Sequence, residues 1–327
     1  MKRMVRKFQS LLEVRMKILD FGSLNYDYVY RVEHAVTAGE TLSSFDMEVF
    51  CGGKGLNQAI AAARAGAKVY LAGMVGTDGQ LFMDICGENG VDTSYIRQMS
   101  GKSGHAIIQL DKKGQNCILL YGGANQMITK EYADEVLSDF GEGDVLLLQN
   151  EVNLLDYIID RAYDRGMKIV LNPSPFDEKI TACNLSKVSV FMLNEIEGEQ
   201  VTGEKEPERI LEALAGKFPE AEIVLTLGSN GVVYSHKKER FRQDIYKVET
   251  VDTTAAGDTF TGYFVASMGK GMDMGAVLRR CSKAAAIAVS RKGAVNSIPM
   301  EKEVDRWQSL ASVVDTHGHP KETCQQN

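Results

Sequence analysis

The 327-residue chain predicts an α/β fold: a mostly parallel central sheet covered by helices on both faces, with a small β-sheet lid. Three observations carry that expectation. From residue 130 onward, short apolar runs alternate with helix-period segments, the rhythm of βα units. Polar residues recur at the ends of those runs, where open parallel sheets hold ligands. Two stretches with mixed faces, about 28–50 and 105–121, interrupt the rhythm and belong outside the main sheet.

In chain order, residues 1–15 are basic without a continuous apolar run; they fail as a secretory signal and read as a disordered N-terminal extension. Lys17–Gly22 reads as the first strand, with Asn25 and Asp27 just beyond it. Tyr28–Glu33 and Thr41–Phe50 read as lid strands, joined there by His105–Leu110 and Asn116–Tyr121 around the turn Asp111-Lys112-Lys113-Gly114. Cys51-Gly52-Gly53-Lys54-Gly55 opens an alanine-rich helix, Leu56–Ala65, before strand Val69–Gly73. Helices over 130–139 and 153–165 precede strands Asp144–Gln149 and Lys168–Leu171. Strands Val188–Leu193 and Glu222–Leu227 end at Asn194-Glu195 and at Gly228-Ser229-Asn230-Gly231. No long linker divides residues 16–310, so one domain with its lid is expected, followed by a polar tail, 311–327.

Composition narrows the function. A balance of 37 basic against 44 acidic residues argues against a nucleic-acid partner, and no basic block rescues that idea. No apolar run reaches membrane-spanning length, so no membrane partner is expected. The six cysteines are far apart with no C-x-x-C pair, which reads as reduced thiols in a cytoplasmic protein. A Rossmann dehydrogenase is excluded, since no G-x-G-x-x-G follows the first strand.

The chemistry points to Val251–Gly262. Its first half is small and polar; its second half opens a helix-period run through Phe260, Phe264, Val265 and Met268. A loop feeding a helix start presents unpaired N–H groups and the positive end of the helix dipole. Ala255, Ala256 and Gly257 let an anion approach that backbone, and a phosphate held there would lie beside the Asp258 carboxylate. Phosphoryl transfer needs that pairing of fixed donors with a base; an N-cap would need the Asp alone. Asn25 and Asp27, Asn150 and Glu151, and Asn194 and Glu197 add amides and carboxylates at successive strand ends, suited to a polyhydroxylated ligand and, through water, a magnesium ion. Gly52-Gly53-Lys54-Gly55 lacks the spacing and the Ser/Thr of a Walker A loop, but with Asn57 it could approach a sugar.

Gly52-Gly53-Lys54-Gly55-Leu56-Asn57-Gln58-Ala59 and Asp252–Gly262, in this order and separation, resemble the two signatures of the ribokinase (PfkB) family of carbohydrate kinases. Asn194-Glu195-Ile196-Glu197 resembles the family's N-x-x-E motif, and Thr226–Gly231 its nucleotide-side T-L-G-x-x-G. Gly22-Ser23-Leu24-Asn25-Tyr26-Asp27 and Ala284–Ala294 are similar to ribokinases within that family. The resemblance covers residues 16–305 and implies a ribokinase-like fold. It implies Asp258 as the base, with the amides of Ala255, Ala256 and Gly257 as the anion hole. It further implies a sugar held by Asn25, Asp27, Gly53, Lys54, Asn57 and Glu151, and ATP near Asn194, Thr226, Gly228 and Gly231. Mg²⁺ would be organised by Asn194 and Glu197, and an activating K⁺ by Asp252, Thr254, Arg291, Gly293 and Ser297. The implied reaction is phosphorylation of a sugar's primary hydroxyl, D-ribose to D-ribose 5-phosphate first, in a homodimer built through the lid strands.

Five positions depart from the ribokinase pattern: Tyr26, Leu56, His105, Tyr121 and Tyr263. Tyr26 and Leu56 flank sugar-binding positions and are expected either to reshape the sugar pocket or to be neutral packing changes. The alternatives are therefore a kinase for deoxyribose, another pentose, fructose or a nucleoside, and a sugar sensor that no longer turns over.

Overall fold

The computed structural model describes residues 16–307. The expectations for segments 1–15 and 311–327 lie outside the described residues.

The first half of the chain builds one wing of the main sheet and the whole lid. It runs β1 (Lys17–Phe21), β2 (Asn25–Arg31), β3 (Asp46–Gly52), α1 (Lys54–Arg64), β4 (Lys68–Val75), α2 (Gln80–Glu88), β5 (Val91–Gln98), β6 (Gly104–Leu110) and β7 (Asn116–Tyr121). The regular alternation follows with α3 (Lys130–Leu137), β8 (Val145–Gln149), α4 (Leu155–Asp164), β9 (Lys168–Asn172), α5 (Glu178–Ala182), β10 (Val190–Asn194), α6 (Glu195–Thr202), α7 (Pro207–Lys217) and β11 (Glu222–Thr226). The chain then adds β12 (Val232–His236), β13 (Glu239–Gln243), α8 (Ala256–Met268), α9 (Met274–Val289) and α10 (Glu301–Arg306).

The main sheet has nine strands in the order β13-β12-β11-β10-β9-β8-β1-β4-β5. Strands β11 through β5 are parallel; β12 and β13 form an antiparallel hairpin at one edge. Alternate residues of each strand serve opposite faces. On β1, Ile18 packs with α1, α8 and α9, whereas Leu19 and Phe21 pack with α3 and α4. Both faces are therefore covered, which is why the strands read as continuous apolar runs. From β1 the order proceeds one way to β4 and β5 and the other way through β8, β9, β10 and β11. The reversal between β1 and β8 is a topological switch point, the position where such sheets open a crevice at their carboxyl ends.

The lid is a separate four-stranded sheet, β3-β2-β6-β7, in which β2 and β6 run parallel and the outer pairs antiparallel. Thr41–Phe50 was expected as strand throughout, but pairing begins only at Asp46, because Val32–Phe45 forms the loop that turns β2 into β3. The lid's exposed apolar residues include Met47, Val49, Ile118, Leu119 and Leu120.

One close approach fixes the helices behind the site. A Cβ on Gly262 of α8 would lie 2.4 Å from Ala61 Cβ and 2.7 Å from Gln58 O of α1. Only glycine allows these helices to touch at that point, and the alanine-rich face of α1 serves the same contact. Four of the cysteines, Cys51, Cys86, Cys183 and Cys281, are buried, Cys117 is exposed, and these five are free thiols. No helix among the described residues is long and apolar enough to cross a membrane.

Candidate active site

The carboxyl ends of β1, β8, β9, β10 and β11 border two connected hollows. The larger, about 940 Å³, lies between the main sheet and the lid and is lined by Asn25, Asp27, Gly53, Lys54, Asn57 and Glu151. The smaller, about 230 Å³, is lined by Asn172, Asn194, Glu197 and Thr226. Lys54, Thr253, Ala255 and Asp258 line both. The residues expected to bind sugar thus line one hollow, and Asp258 and Ala255, the expected base and part of the expected anion hole, stand where it meets the other.

Ala255 caps α8 with φ 58°, a left-handed conformation that turns the chain sharply into the helix. At the helix start the Ala256 amide donates to Thr253 O at 3.3 Å, and the Gly257 amide follows where no intrahelical acceptor is available. A side chain on Gly257 would meet nothing within 4 Å, and both residues line the smaller hollow. Asp258 sits in the first turn of α8. Its carboxylate accepts from Asn57 Nδ2 at 3.0 Å and from Gln58 Nε2 at 2.8 Å, two consecutive residues of α1.

At the larger hollow, Asn25 Oδ1 accepts from Asn125 Nδ2 at 2.7 Å, and Asn125 Oδ1 accepts from Leu24 N. The buried Asn125 therefore orients Asn25. Glu151 follows β8 and closes the amino end of α1: its Oε2 accepts from Lys54 N at 3.1 Å and from the Ser23 hydroxyl. Gly53 caps that helix at φ 97°, a conformation that favours glycine. Burial pushes the Asp27 carboxyl up to about 7, helped by repulsion from Glu151 and Asp258. Burial likewise raises Glu151, although Lys54 and Ser23 oppose it. For Lys54 burial works toward the neutral amine, but Asp258, Glu151 and Glu197 outweigh it and raise its pKa above the usual range. The cluster is a buried cation among carboxylates, spanning both hollows. The Oδ1 atom of Asn57 is buried without a partner, as expected of an acceptor waiting for a hydroxyl.

On the other side, Asn194 and Glu197 form a capping box at the start of α6: Glu197 N donates to Asn194 Oδ1 at 2.9 Å and Asn194 N donates to Glu197 Oε2 at 3.0 Å. Asn194 Nδ2 donates to Glu197 Oε1 at 3.1 Å, so both carboxylate oxygens are held. Gly228 and Gly231 lie on the turn after β11 and do not line the smaller hollow. Gly231 has a packing reason as well: a Cβ there would lie 2.1 Å from Gln243 O of β13.

Asp252 ties the loop before α8 to the loop after α9. Its Oδ1 accepts from Thr254 N and Oγ1, at 2.9 and 2.6 Å, and its Oδ2 accepts from Gly293 N at 2.9 Å. Those bonds, with Lys292 nearby, hold the carboxyl below its usual range against the effect of burial. Arg291 turns its guanidinium to Glu303, and Ser297, fully buried, donates to Ala294 O.

Of the five departures, none lines either hollow. Along β2 the side chains of Asn25, Asp27 and Val29 face the larger hollow, so Tyr26 faces the other way. It stacks on Phe82 at 4.3 Å and donates to Asp78 O. Leu56 is fully buried in the core, while His105 stacks on Tyr121 at 4.9 Å outside the hollow. The packing alternative holds for Tyr26 and Leu56, and pocket reshaping does not. Sequence reasoning missed Gln58, Asn125, Asn172, Thr253 and Thr261. Asn172, at the end of β9, had a signal available: it is one more amide at a parallel strand end.

Comparison with known proteins agrees with this geometry. The model of the pfkB family carbohydrate kinases matches residues 16–301. A ribokinase of Haemophilus influenzae is 35% identical over 299 residues, covering 89% of this chain and 97% of its own. The crystal structure of a Thermotoga maritima ribokinase superposes with a TM-score of 0.78 at 31% identity, covering 89% of this chain and 98% of that one. An Arabidopsis thaliana ribokinase complexed with ribose and ATP gives 0.77 at 28% identity, with the same shares covered. Two adjoining hollows, a carboxylate at a helix start between them and a match over nearly the whole described chain lead to one conclusion: the chain belongs to the pfkB family of carbohydrate kinases.

Proposed function

We propose that the chain transfers the γ-phosphoryl group of ATP to the primary hydroxyl of a free sugar, D-ribose first, giving D-ribose 5-phosphate and ADP. The observation that carries this reading is the junction itself: Lys54, Thr253, Ala255 and Asp258 are the groups shared by the sugar-side and nucleotide-side hollows. Asn25, Asp27, Gly53, Lys54, Asn57 and Glu151 would hold the sugar, leaving its primary hydroxyl at Asp258. Asp258 takes the hydroxyl proton as the oxygen attacks the γ-phosphorus, the bond to the bridging oxygen breaks, and ADP leaves with the electron pair. The amides of Ala255, Ala256 and Gly257 receive the equatorial oxygens of the transferring group, and Lys54 offsets their charge. Asn194 and Thr226 line the nucleotide side, with the turn at Gly228 and Gly231 beyond them.

Two cations fit the donors present. Both Glu197 oxygens accept from Asn194, so this pair would hold the Mg²⁺ of MgATP through water rather than as direct ligands. Asp252, Thr254, Gly293 and Ser297 offer oxygens on two tied loops for K⁺; Arg291, its guanidinium engaged by Glu303, could add only its carbonyl. A K⁺ there would neutralise charge next to the anion hole. We also read the molecule as a cytoplasmic homodimer joined through the lid, supported by the exposed apolar residues of β3 and β7.

The test is ADP release with a panel of sugars and nucleosides, with and without K⁺, for the parent and Asp258→Asn. Ribose-selective, K⁺-stimulated turnover that falls about 10²–10⁴-fold in the variant is expected. Selectivity for another acceptor would overturn the choice of ribose. Sugar binding without turnover in the parent would make the protein a sensor and overturn the reaction.

A further inference from the structure

Behind the base, a line of buried side chains enters the core. Gln58, whose Nε2 donates to Asp258 Oδ1, has its own Oε1 accepting from Gln149 Nε2 at 2.9 Å. The same nitrogen donates to Asp20 Oδ1 at 3.1 Å. Asp20 is on β1 and Gln149 on its neighbour β8, on either side of the switch point. Asp20 and Gln58 are fully buried, Gln149 is 1% exposed, and none of the three lines either hollow.

Two atoms of this line lack a partner: Asp20 Oδ2 and Gln149 Oε1. With Asp20 ionised both are buried acceptors without donors, and each orphan is costly, more so for a charge. The ionisable groups that act on Asp20 or feel it are Asp258 and Cys86, neither of which supplies a compensating cation. Burial, with Asp258 adding repulsion, raises the Asp20 pKa well above the carboxylate range against the opposing bond from Gln149. A proton on Oδ2 turns one orphan into a donor and provides for the other, Gln149 Oε1, on the amide already bonded to the same carboxyl. An acid and a primary amide then pair at two points, which leaves Gln149 one orientation. That orientation points its nitrogen at Gln58 Oε1, and so turns the Gln58 N–H group toward the base. A flipped Gln58 would set a carbonyl against the Asp258 carboxylate and displace it from the attacking hydroxyl.

We infer that Asp20, held as a neutral acid, is a positioning residue for the phosphoryl-transfer step: through Gln149 and Gln58 it fixes the polarity of the donor facing Asp258. The inference rests on the reading of Asp258 as base.

The experiment compares Asp20→Asn and Asp20→Leu with the parent. Asparagine keeps an acceptor and replaces the acid's O–H with N–H, so it should retain most of the turnover that leucine loses. Leucine frees both amides and should lower kcat roughly ten- to hundred-fold, with the KM for ATP unchanged. Parent-like kcat in the leucine variant, or an asparagine variant as slow as leucine, would overturn the inference. Should the leucine variant not fold, infrared difference spectroscopy of parent minus Asp20→Asn at pH 8 decides instead. The carbonyl band of a protonated carboxylic acid is expected, and its absence would sink the proposal. Failure of the base assignment would be seen separately, as turnover persisting in Asp258→Asn while this band remains.

Discussion

Asn57 Nδ2 lies 3.0 Å from Asp258 Oδ2, across 201 residues of sequence. The contact joins the glycine-rich half of the site to the anion-hole half, and Asn57 Oδ1 is left as a buried acceptor facing no protein donor. Asn57→Ala should therefore lose both a donor to the base and a partner for the sugar. A hydrogen bond to a charged group contributes about 1.5–3 kcal/mol, so kcat/KM for the sugar should fall roughly ten- to hundred-fold. Steady-state kinetics check it; an unchanged kcat/KM would remove Asn57 from the site.

Asp27, pushed up to about 7, gives a pH signature. Between its ordinary value of 3.8 and 7, the folded sugar-free chain holds a proton that the unfolded chain has released. Stability from this group is thus lost as pH rises through that window and stays lost above it. Asp27→Asn should melt at a higher temperature than the parent by a margin that grows from about pH 4 to pH 8, worth up to about 4 kcal/mol. Sugar hydroxyls donating to the carboxylate favour its ionised form, so sugar binding near pH 7 should release protons. Calorimetry in buffers of different ionisation enthalpy measures that release directly.

Glu48 of the lid accepts from Lys292 Nζ at 3.1 Å on both oxygens and from Arg31 Nη2 at 3.0 Å. Lys292 belongs to the loop that Asp252 binds, so this ion pair fastens the lid beside the anion hole. Glu48→Gln should raise the sugar KM about two- to five-fold, and the difference should shrink at high salt because the pair is exposed. Equal KM values at low salt would show that the lid closes without the pair.

The lid face is the expected dimer contact. Leu119→Lys places a charge on an exposed position of β7 that lines neither hollow, and should convert a dimer into a monomer at micromolar concentration. Sedimentation would show the change in mass, and a monomeric parent would refute the dimer outright.

Much of this architecture was legible in the chain. Helix-period segments between apolar runs marked the parallel strands, and strand-end polar residues marked the crevice, because both follow from local periodicity and from where parallel sheets leave polar groups. The hairpin of β12 and β13 was not foreseen: its five-residue strands follow a glycine turn and carry little periodicity. Gln58, Gln149 and Asn125 escaped for another reason. Their work is to hold amides and carboxylates that lie 91 to 200 residues away, and no local pattern reports such a partner. Tyr26 looked like a pocket residue through its neighbours in sequence, but strand alternation turns it to the opposite side from Asn25 and Asp27.

The position of β1 between β4 and β8 has a consequence for synthesis. One edge of this nascent strand is matched once residue 75 has emerged, but its other edge waits for Gln149. At the usual 5–20 residues per second, that second edge stays bare on the ribosome for roughly 6–26 s after β1 is made. An unpaired strand edge invites the wrong strand, so this interval is when the chain most needs a chaperone.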